Sequence, residues 1–459
     1  MIKLEVRLEN FSEPIGFLIS DDNGNIRFGY DYGYLAFGTA FPISLSLPLR
    51  PESFDDNATR AFFQNLFQEN DQLEQVMQRE QLARDDVVGL LYFLGADCPG
   101  SLSCMPIGSE PSKTPGFIGS DYDFLNQQDI DEIVRRLANH EPLPEIARDP
   151  SPVAGVQRKI AVVYTPDGRY ALPKPHLGVP TTHILKVPGR GEGREARLEA
   201  AAAQLANRCG LDVSIPQLVT FQGYEALLIN RFDRNVSSEG IIARIHQEDF
   251  AQALGLPSRL KYERYGNSER AFNAAAIATV LARTAEPARA LDIFLRATIF
   301  NLAIGNSDNH AKNHALLYDL GPVPRLAPLY DLLPVRLNGN VTHALSFRIG
   351  GAESAENLTL DDFADFFLKF QLTTGAATRF ANTRIVRLLA VLDQATENLP
   401  GTLKDFNDLI GRELERLIET LRLDLVVRPR DHFDVMRAVG YLARRSPASR
   451  NSRTEPKLK

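Results

Sequence analysis

The hydrophobic pattern of this chain changes period near residue 245, and this change constrains the fold more than any other feature of the sequence. Short apolar stretches before that point predict strands at residues 160–164, 182–187, 216–221 and 226–229. An alanine-rich helix is expected at 195–209, with Gly210 as its C-terminal cap. Beyond residue 245, the spacing of apolar residues predicts amphipathic helices near 268–284, 286–304, 360–371, 378–397 and 403–422. A strand-rich lobe followed by a helical lobe is the layout of a two-lobed kinase, although layout alone does not fix function.

The first hundred residues predict a separate small unit. Strands are expected at 2–8, 16–20 and 26–30, and apolar stripes near 62–67 and 87–94 predict helices. We divide the chain into an N-terminal α/β subdomain (1–106), a linker with a helix (107–150), a strand-rich N-lobe (151–233), an all-helical C-lobe (234–443) and a disordered basic tail (444–459). The predicted fold class is α+β, two-lobed and similar to that of protein kinases.

Composition excludes several classes of protein. A chain of 459 residues is too long for one ordinary core, so two or three domains are expected. The formal charge of -7 argues against a general nucleic-acid binder, because such proteins need surplus cations. Cys98, Cys104 and Cys209 lack the CxxC spacing of a zinc site and suit a reducing compartment. No apolar stretch reaches the roughly 18 residues of a membrane span, so we expect a cytoplasmic protein without membrane contact.

Residues 305–313, GNSDNHAKN, carry the densest set of groups able to do chemistry, and they follow an apolar helix. Phosphoryl transfer requires a carboxylate near the attacking hydroxyl, oxygen ligands for Mg²⁺ and cations for the developing charge. The carboxylate can come from Asp308, an oxygen ligand from Asn313 and a cation from Lys312. The offset of five between Asp308 and Asn313 is that of the kinase catalytic loop. The alternative is a solvated polar turn, and these residues alone do not decide between the two.

Asp331 lies in an apolar run, residues 326–334, shortly after that loop. Residues 315–318 and 325–327 predict a hairpin that presents both of its ends to one cleft. A carboxylate among apolar residues is costly unless it is paired or coordinated, which suits a Mg²⁺ ligand that bridges nucleotide phosphates. The structural alternative is an aspartate that caps the start of a helix.

Lys186 lies inside a predicted apolar strand and therefore needs an anion, for which the phosphates of ATP are one candidate. The helix that follows carries Glu199, thirteen positions later. A strand lysine paired with a helix glutamate is the device by which kinases orient the phosphate-binding ammonium. The alternative is a lysine on an edge strand that faces water.

Residues 151–159, SPVAGVQRK, join the linker to the first strand of the N-lobe. They are not a Walker loop, because they contain one glycine and no Gly-Lys-Ser/Thr. Their small residues would still let backbone amides approach phosphates. On its own this pattern does not identify a nucleotide site.

In this order, the motifs resemble those of the HipA family of serine/threonine kinases, the toxin half of bacterial toxin–antitoxin pairs. The resemblance covers nearly the whole chain. Besides the N-terminal subdomain, it rests on residues 153–159, 181–186, 230–234, 247–255, 305–313 and 329–331. Several dispersed motifs in the same order are specific, whereas any one of them would not be.

The resemblance implies a role for each matching residue. Asp308 would be the catalytic base, Asn313 and Asp331 would hold Mg²⁺, and Lys186, supported by Glu199, would bind the phosphates of ATP. The phosphate loop would comprise Ala154, Gly155, Val156, Gln157, Arg158 and Lys159. Backbone groups of Asn230, Arg231 and Phe232 would hold the adenine. Further nucleotide contacts would come from His310, Ala311, Lys312 and Tyr330.

The resemblance also implies partners. Family members phosphorylate an aminoacyl-tRNA synthetase, typically that for glutamate, and are neutralised by a helix-turn-helix antitoxin that also binds operator DNA. We therefore expect a protein substrate of that class and a HipB-like antitoxin. Operator DNA would be contacted indirectly, through the antitoxin, and a homodimer is expected within the toxin–antitoxin complex.

One position departs from the family pattern. Family members carry a serine three residues before the glycine of the phosphate loop, where autophosphorylation in trans silences the enzyme. Pro152 occupies that position here and offers no phosphate acceptor, while Ser151 lies one residue earlier. Either Ser151 accepts the phosphate in a shifted geometry, which we favour, or this self-inactivation is lost.

Two other functions fit parts of the sequence. One is a kinase for a lipid or small molecule, because lipid kinases have a similar compact loop of Asp, His and Asn. The other is an inactive binding module with a kinase fold that acts in corepression. Such a module is expected to lack Asp308, Asn313 or Asp331, and all three are present. We therefore favour an ATP-dependent serine/threonine protein kinase.

Overall fold

The computed structural model describes residues 2–9, 11–67, 71–147, 159–189, 191–319 and 321–430, and the elements below are those of these residues. Ser151, the phosphate-loop residues 154–158 and the basic tail 444–459 lie outside them. No helix in the described ranges is both long enough and apolar enough to cross a membrane.

The N-terminal subdomain, residues 2–106, is an antiparallel sheet packed against helices. Its strands, in the order β3-β2-β1-β4, are β1 (Ile2–Leu8), β2 (Gly16–Ser20), β3 (Ile26–Tyr30) and β4 (Leu102–Pro106). Its helices are α1 (Tyr32–Leu35), α2 (Asp56–Phe63), α3 (Asp71–Glu80) and α4 (Val87–Leu94). Alternate residues of β1, such as Leu4 and Val6, are buried in one core with Phe62 and Phe63 of α2. The strands expected at 2–8, 16–20 and 26–30 are confirmed.

The N-lobe contains the strands β5 (Gly116–Phe117), β6 (Tyr122–Phe124), β7 (Lys159–Tyr164), β8 (Tyr170–Pro173), β9 (His183–Lys186), β10 (Gln217–Phe221), β11 (Tyr224–Asn230), β12 (Arg234–Val236) and β13 (Ile241–Arg244). Its main sheet has the order β10-β11-β9-β7-β8-β6, so β9 is an interior strand. Helices α5 (Gln127–Ala138) and α6 (Gly193–Arg208) pack on this sheet. Gly210, with φ of +72°, follows α6 as the expected cap.

The C-lobe is built mainly from helices around one large apolar core. They are α7 (Phe250–Ala253), α8 (Ala274–Leu281), α9 (Pro287–Ile304), α10 (Leu360–Lys369), α11 (Thr374–Phe380), α12 (Val386–Ala395) and α13 (Lys404–Leu421). The central helix α9 is buried along most of its second half. A π-helical turn at Ala381–Ile385 divides the run expected at 378–397 into α11 and α12.

The expectation of an all-helical C-lobe was wrong. Residues beyond 245 also form β14 (His246–Asp249), β15 (Ala315–Tyr318), β16 (Arg325–Leu326), β17 (Ala344–Ile349) and β18 (Ala352–Ser354). β14, with the sequence HQED, and β15, in which every residue is buried, lack the alternation that identifies a strand in a sequence. The hairpin expected at 315–327 is confirmed as the antiparallel pair β15–β16.

Buried polar contacts join the N-terminal subdomain to the rest of the chain. Arg244 at the end of β13 forms ion pairs with Glu9, at 2.7 Å, and with Asp97, at 3.1 Å. Glu248 of β14 accepts a hydrogen bond of 2.5 Å from the Oγ of Ser44. The subdomain is therefore placed against the lobes through specific charged and polar side chains as well as through apolar packing.

Candidate active site

A cavity of about 530 Å³ lies where the N-lobe, the C-lobe and the N-terminal subdomain meet. Its lining includes many of the residues singled out by the sequence: Lys159, Lys186, Glu199, Asn230, Arg231, Phe232, His310, Lys312, Asn313, Tyr330 and Asp331. A cavity of this size suits a small-molecule ligand. Asp308 is not among the lining residues, although it contacts Asn313, which is, and Ala311 is fully buried.

The polar loop at 305–313 begins where helix α9 ends. Gly305 adopts the left-handed conformation, with φ of +71°, and its N–H bonds to the carbonyl of Leu302. A Cβ at this position would lie 2.7 Å from Cδ2 of Leu409 and 3.3 Å from Cβ of Arg336. Both the backbone conformation and the close packing therefore require glycine here.

Hydrogen bonds within the loop fix its shape. The amide of Asn306 donates to Oδ1 of Asn301 at 2.9 Å, and its own Oδ1 accepts from the N–H of Asp308 at 3.1 Å. The amide of Asn313 donates to the carbonyl oxygen of Asp308 at 2.9 Å. From β17, the Oγ of Ser346 donates to the carbonyl of Ser307. Side chains of the loop, of α9 and of β17 thus hold the loop together, with Asp308 and Asn313 in contact.

Asp308 is half-buried beside the cavity. Its Oδ1 accepts a hydrogen bond of 2.7 Å from the hydroxyl of Tyr262. Burial raises the pKa of Asp308, whereas the bond from Tyr262 and the charges of Lys261 and Arg264 act in the opposite direction. The negative charge of Asp331 adds to the rise of this pKa, so the two carboxylates act on each other electrostatically.

Asp331 follows β16 and lines the cavity. Its φ of +56° places it in the left-handed region, which residues other than glycine rarely adopt. It does not precede a helix directly, because the next helical turn begins at Val335. The alternative of a helix-capping aspartate is therefore excluded. The neighbouring Tyr330 donates from its hydroxyl to the carbonyl of Lys312 at 2.6 Å, which ties this segment to the polar loop.

Lys186 of β9 and Glu199 of α6 form an ion pair, with Nζ and Oε2 2.5 Å apart. Because β9 lies between β11 and β7, the alternative of an edge-strand lysine facing water is also excluded. Lys159 lies opposite Lys186 in the sheet register. Burial, together with the charge of Lys186, lowers the pKa of Lys159 to about 8. The two lysines form a positive patch on one wall of the cavity.

His310 is held as a neutral imidazole. Burial and the charge of Lys261 lower its pKa to about 3. Within the described part of the chain its buried Nδ1 has no hydrogen-bond partner. His310 lines the cavity, but this nitrogen is itself buried within the protein.

Lys312 is already engaged by protein groups. Its Nζ lies 3.1 Å from Oδ2 of Asp249 and 3.1 Å from both the carbonyl oxygen and Oδ1 of Asn65. Asn65 belongs to the N-terminal subdomain, so that unit contributes directly to the cavity. Lys312 is thus a cation whose charge is partly compensated by Asp249.

The segment 230–232 borders the cavity after β11. The N–H of Arg231 donates to the carbonyl of Thr182, and its guanidinium binds both carboxylate oxygens of Asp233. The ring of Phe232 lies 5.4 Å from that of Tyr330, which forms an aromatic wall. The backbone N–H of Phe232 has no hydrogen-bond partner among the described residues.

Sequence reasoning missed several residues of this site. Asp249 falls inside the segment 247–255 that carried the family resemblance, but it received no role. Asn65 and Tyr262 gave no signal, because each reaches the loop across a long sequence separation. Only the fold brings them together with residues 308–313.

Comparison with known proteins adds a separate line of evidence. Residues 151–396 match the model of the HipA-like C-terminal domain, and residues 4–105 match that of the HipA N-terminal domain. The chain belongs to the HipA family. A Sinorhizobium fredii relative, provisionally named kinase Y4mE, is 33% identical to this HipA-family chain over 396 residues, 86% of this chain and 91% of the relative.

HipA of Shewanella oneidensis matches this chain both in sequence and in a solved structure. The serine/threonine-protein kinase toxin HipA of Shewanella oneidensis is 28% identical over 325 residues, 68% of this chain and 71% of the toxin. A solved structure of Shewanella oneidensis HipA, in a complex with HipB and operator DNA, matches with a TM-score of 0.72 and 23% identity. It covers 91% of this chain and 96% of that one. The predicted two-lobed, kinase-like α+β fold is thereby confirmed.

Proposed function

We propose that this chain is an ATP-dependent serine/threonine protein kinase. The observation that carries the proposal is the arrangement around the cavity. The Lys186–Glu199 pair lies in the N-lobe wall, and Asn313 and Asp331 line the C-lobe side. Asp308 contacts Asn313 within the same loop. A phosphoryl-transfer site needs cations for the phosphates, oxygen ligands for a divalent metal and a carboxylate near the acceptor hydroxyl. Membership of the HipA family supports the same activity.

The cavity residues fit a nucleoside triphosphate. Lys159 and Lys186 would attract its phosphates, and the aromatic wall of Phe232 and Tyr330 offers a surface for its base. The N–H of Phe232, which has no partner among the described residues, would gain a hydrogen bond from the ligand. The phosphate-loop role of residues 154–158 stays a prediction, since these residues lie outside the described ranges.

The donor set near Asp308 fits Mg²⁺. The side-chain amide nitrogen of Asn313 donates to the backbone carbonyl of Asp308, so Oδ1 of Asn313 is turned toward other partners. Asp331 supplies a carboxylate. Mg²⁺ is usually held by one or two protein oxygens, together with phosphates and water. When bound, it would neutralise charge on the transferred phosphoryl group. Asn313 and Asp331 are the residues we propose as its protein ligands.

Asp308 would orient the hydroxyl of the protein substrate and accept its proton. Its Oδ1 is occupied by Tyr262, so Oδ2 would face the hydroxyl. The neutral His310 next to it adds no positive charge that would compete for the carboxylate. Lys312, partly compensated by Asp249, would contribute to the positive surroundings of the phosphates.

Phosphotransfer to proteins tests this proposal directly. The purified chain is incubated with labelled ATP, Mg²⁺ and a lysate of its host, alongside Asp308→Asn as a variant of nearly equal size. We expect label on a discrete protein as phosphoserine or phosphothreonine, and none with the variant, which should still bind ATP. Label confined to the lipid fraction would identify a lipid kinase. ATP turnover that survives Asp308→Asn would contradict the role of Asp308.

We further propose a setting in the cytoplasm and partners like those of the relatives. The Shewanella relative is a kinase toxin, and the matched HipA structure contains HipB and operator DNA. By analogy, this chain would bind a helix-turn-helix antitoxin and, through it, operator DNA, as a homodimer within that complex.

An aminoacyl-tRNA synthetase, such as that for glutamate, would be the substrate. Co-purification with the product of a neighbouring helix-turn-helix reading frame, followed by labelling of purified synthetases, tests both points.

Autophosphorylation at Ser151 is a separate proposal. Pro152 removes the usual acceptor position, and Ser151 is adjacent to it. Phosphopeptide mapping after incubation with ATP should find phosphate on Ser151. Its absence from that residue would mean that this self-inactivation does not operate through Ser151.

A further inference from the structure

Tyr262 lies against the proposed catalytic base from a segment far away in sequence. The segment contains two 3-10 turns, Ser258–Leu260 and Glu263–Tyr265, and lies over the polar loop. The hydroxyl of Tyr262 donates to Oδ1 of Asp308 at 2.7 Å. One residue earlier, the carbonyl of Lys261 accepts from the N–H of Ala311 at 3.0 Å. The segment and the loop are therefore joined at two consecutive residues, Lys261 and Tyr262.

Several contacts hold the ring of Tyr262 in place. It meets the ring of His310 edge to face at 5.1 Å, and that of Tyr265 at 5.8 Å. The guanidinium of Arg264 lies over it, 4.0 Å from the ring centroid. A backbone-to-side-chain bond of 2.6 Å, from the N–H of Arg348 to Glu263, anchors the same turn to β17. The hydroxyl of Tyr262 is thus aimed at Asp308 by its surroundings.

The two carboxylate oxygens of Asp308 differ in their hydrogen bonding. Oδ1 is occupied by Tyr262, whereas Oδ2 makes no hydrogen bond to the described residues. Free rotation of the carboxylate would require breaking the bond to Tyr262. A charge-assisted bond of this length is among the stronger hydrogen bonds in proteins. Asp308 therefore keeps one defined carboxylate oxygen, Oδ2, available for a further hydrogen bond.

We propose that Tyr262 is the positioning residue of Asp308: it holds Oδ1 so that Oδ2 faces the acceptor hydroxyl. This inference rests on the proposed function, because it concerns how the base of that reaction is oriented. Tyr262 would act through Asp308 without touching the nucleotide. Its loss should therefore slow the chemical step without weakening ATP binding, since a poorly oriented group can cost roughly a hundredfold in rate.

The test compares two tyrosine-to-phenylalanine variants of the full chain. Tyr262→Phe keeps the ring, and with it the contacts to His310 and Arg264, but removes the hydroxyl. Tyr265→Phe is the matched control, since that exposed residue belongs to the same turn and its hydroxyl makes no hydrogen bond to Asp308 in the described structure. We expect kcat to fall roughly tenfold to a hundredfold in Tyr262→Phe alone, with KM for ATP changed by less than about twofold.

One further measurement makes the result decisive. Thermal unfolding should give the same midpoint for both variants, so that a lower kcat in Tyr262→Phe cannot be assigned to a loss of folded protein. A kcat for Tyr262→Phe that equals or exceeds that of the wild type would overturn the proposal. A wild-type chain that transfers no phosphate would overturn the proposed function and this inference together.

Discussion

The ion pair between Lys186 and Glu199 lies where little water can solvate either charge, since the side chains are 15% and 7% exposed. Breaking such a pair leaves an uncompensated buried charge. Burial by itself raises the pKa of Glu199, and the charge of Lys186 opposes that rise. The pair therefore affects both the free energy of unfolding and the positive charge that Lys186 can offer to a phosphate.

Replacing Lys186 with methionine separates these two effects. We expect Lys186→Met to destabilise the fold by about 3 kcal/mol and to weaken ATP binding strongly. The double variant Lys186→Met/Glu199→Leu should regain most of the stability, because no charge is left unpaired, but not the affinity for ATP. Urea unfolding and calorimetric titration with ATP measure the two quantities. Equal stability of wild type and Lys186→Met would contradict the expected burial cost.

Asp331 combines a left-handed backbone with a side chain needed for the proposed metal. Glycine adopts this conformation without strain, so Asp331→Gly should be as stable as the wild type or more stable by about 1 kcal/mol. Phosphotransfer should nevertheless be lost, because the carboxylate is gone. Asp331→Asn is the control of equal size, with activity also lost. Full activity of either variant at low Mg²⁺ would exclude Asp331 as a ligand.

At the scale of elements, the end of α9 sets the start of the polar loop. Gly305→Ala must adopt a left-handed conformation and also push against Leu409, which is buried in the C-lobe core. Gly210→Ala at the end of α6 carries the same conformational cost, but its Cβ would meet no atom within 4 Å. We expect Gly210→Ala to cost about 1 kcal/mol and leave kcat unchanged, and Gly305→Ala to cost more and reduce kcat. Parallel urea unfolding and kinase assays compare them.

The same elements show what the sequence could and could not predict. The spacing of Asp308 and Asn313, and the order of Lys186 and Glu199, depend on local chemistry that a sequence displays directly. The contact of Tyr262 with Asp308 depends on tertiary packing, which no local pattern encodes. Likewise, β15 was expected as one strand of a hairpin, while β14, with the sequence HQED, has no apolar alternation.

At the scale of the whole molecule, Glu248 links stability to pH. It accepts hydrogen bonds from Ser44, from the N–H of Leu45 and from Tyr318, and joins the N-terminal subdomain to the C-lobe. Burial raises the pKa of Glu248 from 4.5 to about 7. The folded state therefore holds this proton more tightly than the unfolded chain does. The resulting stabilisation is complete below about pH 4.5 and is lost as the pH rises through about 7.

Glu248→Gln removes this titration while keeping the size of the side chain. The free energy of unfolding of the wild type, relative to that of the variant, should fall between pH 4.5 and 7 by up to about 1.4 kcal/mol per pH unit. Urea unfolding of both proteins across this range measures the difference. If the two curves run parallel, the proton on Glu248 does not stabilise the folded chain.

Lys312 reaches out of the polar loop to Asn65, which lies on a 3-10 turn, Gln64–Leu66, directly after α2. The amide of Asn65 is fixed in turn by its bonds to the carbonyls of Ala61 and Leu256. A displacement of α2 would therefore move Asn65, the hydrogen-bond partner of Lys312 in the cavity. In a genetic selection for loss of activity, substitutions along α2 should recur, although α2 lies outside the region matched by the C-terminal domain of the family.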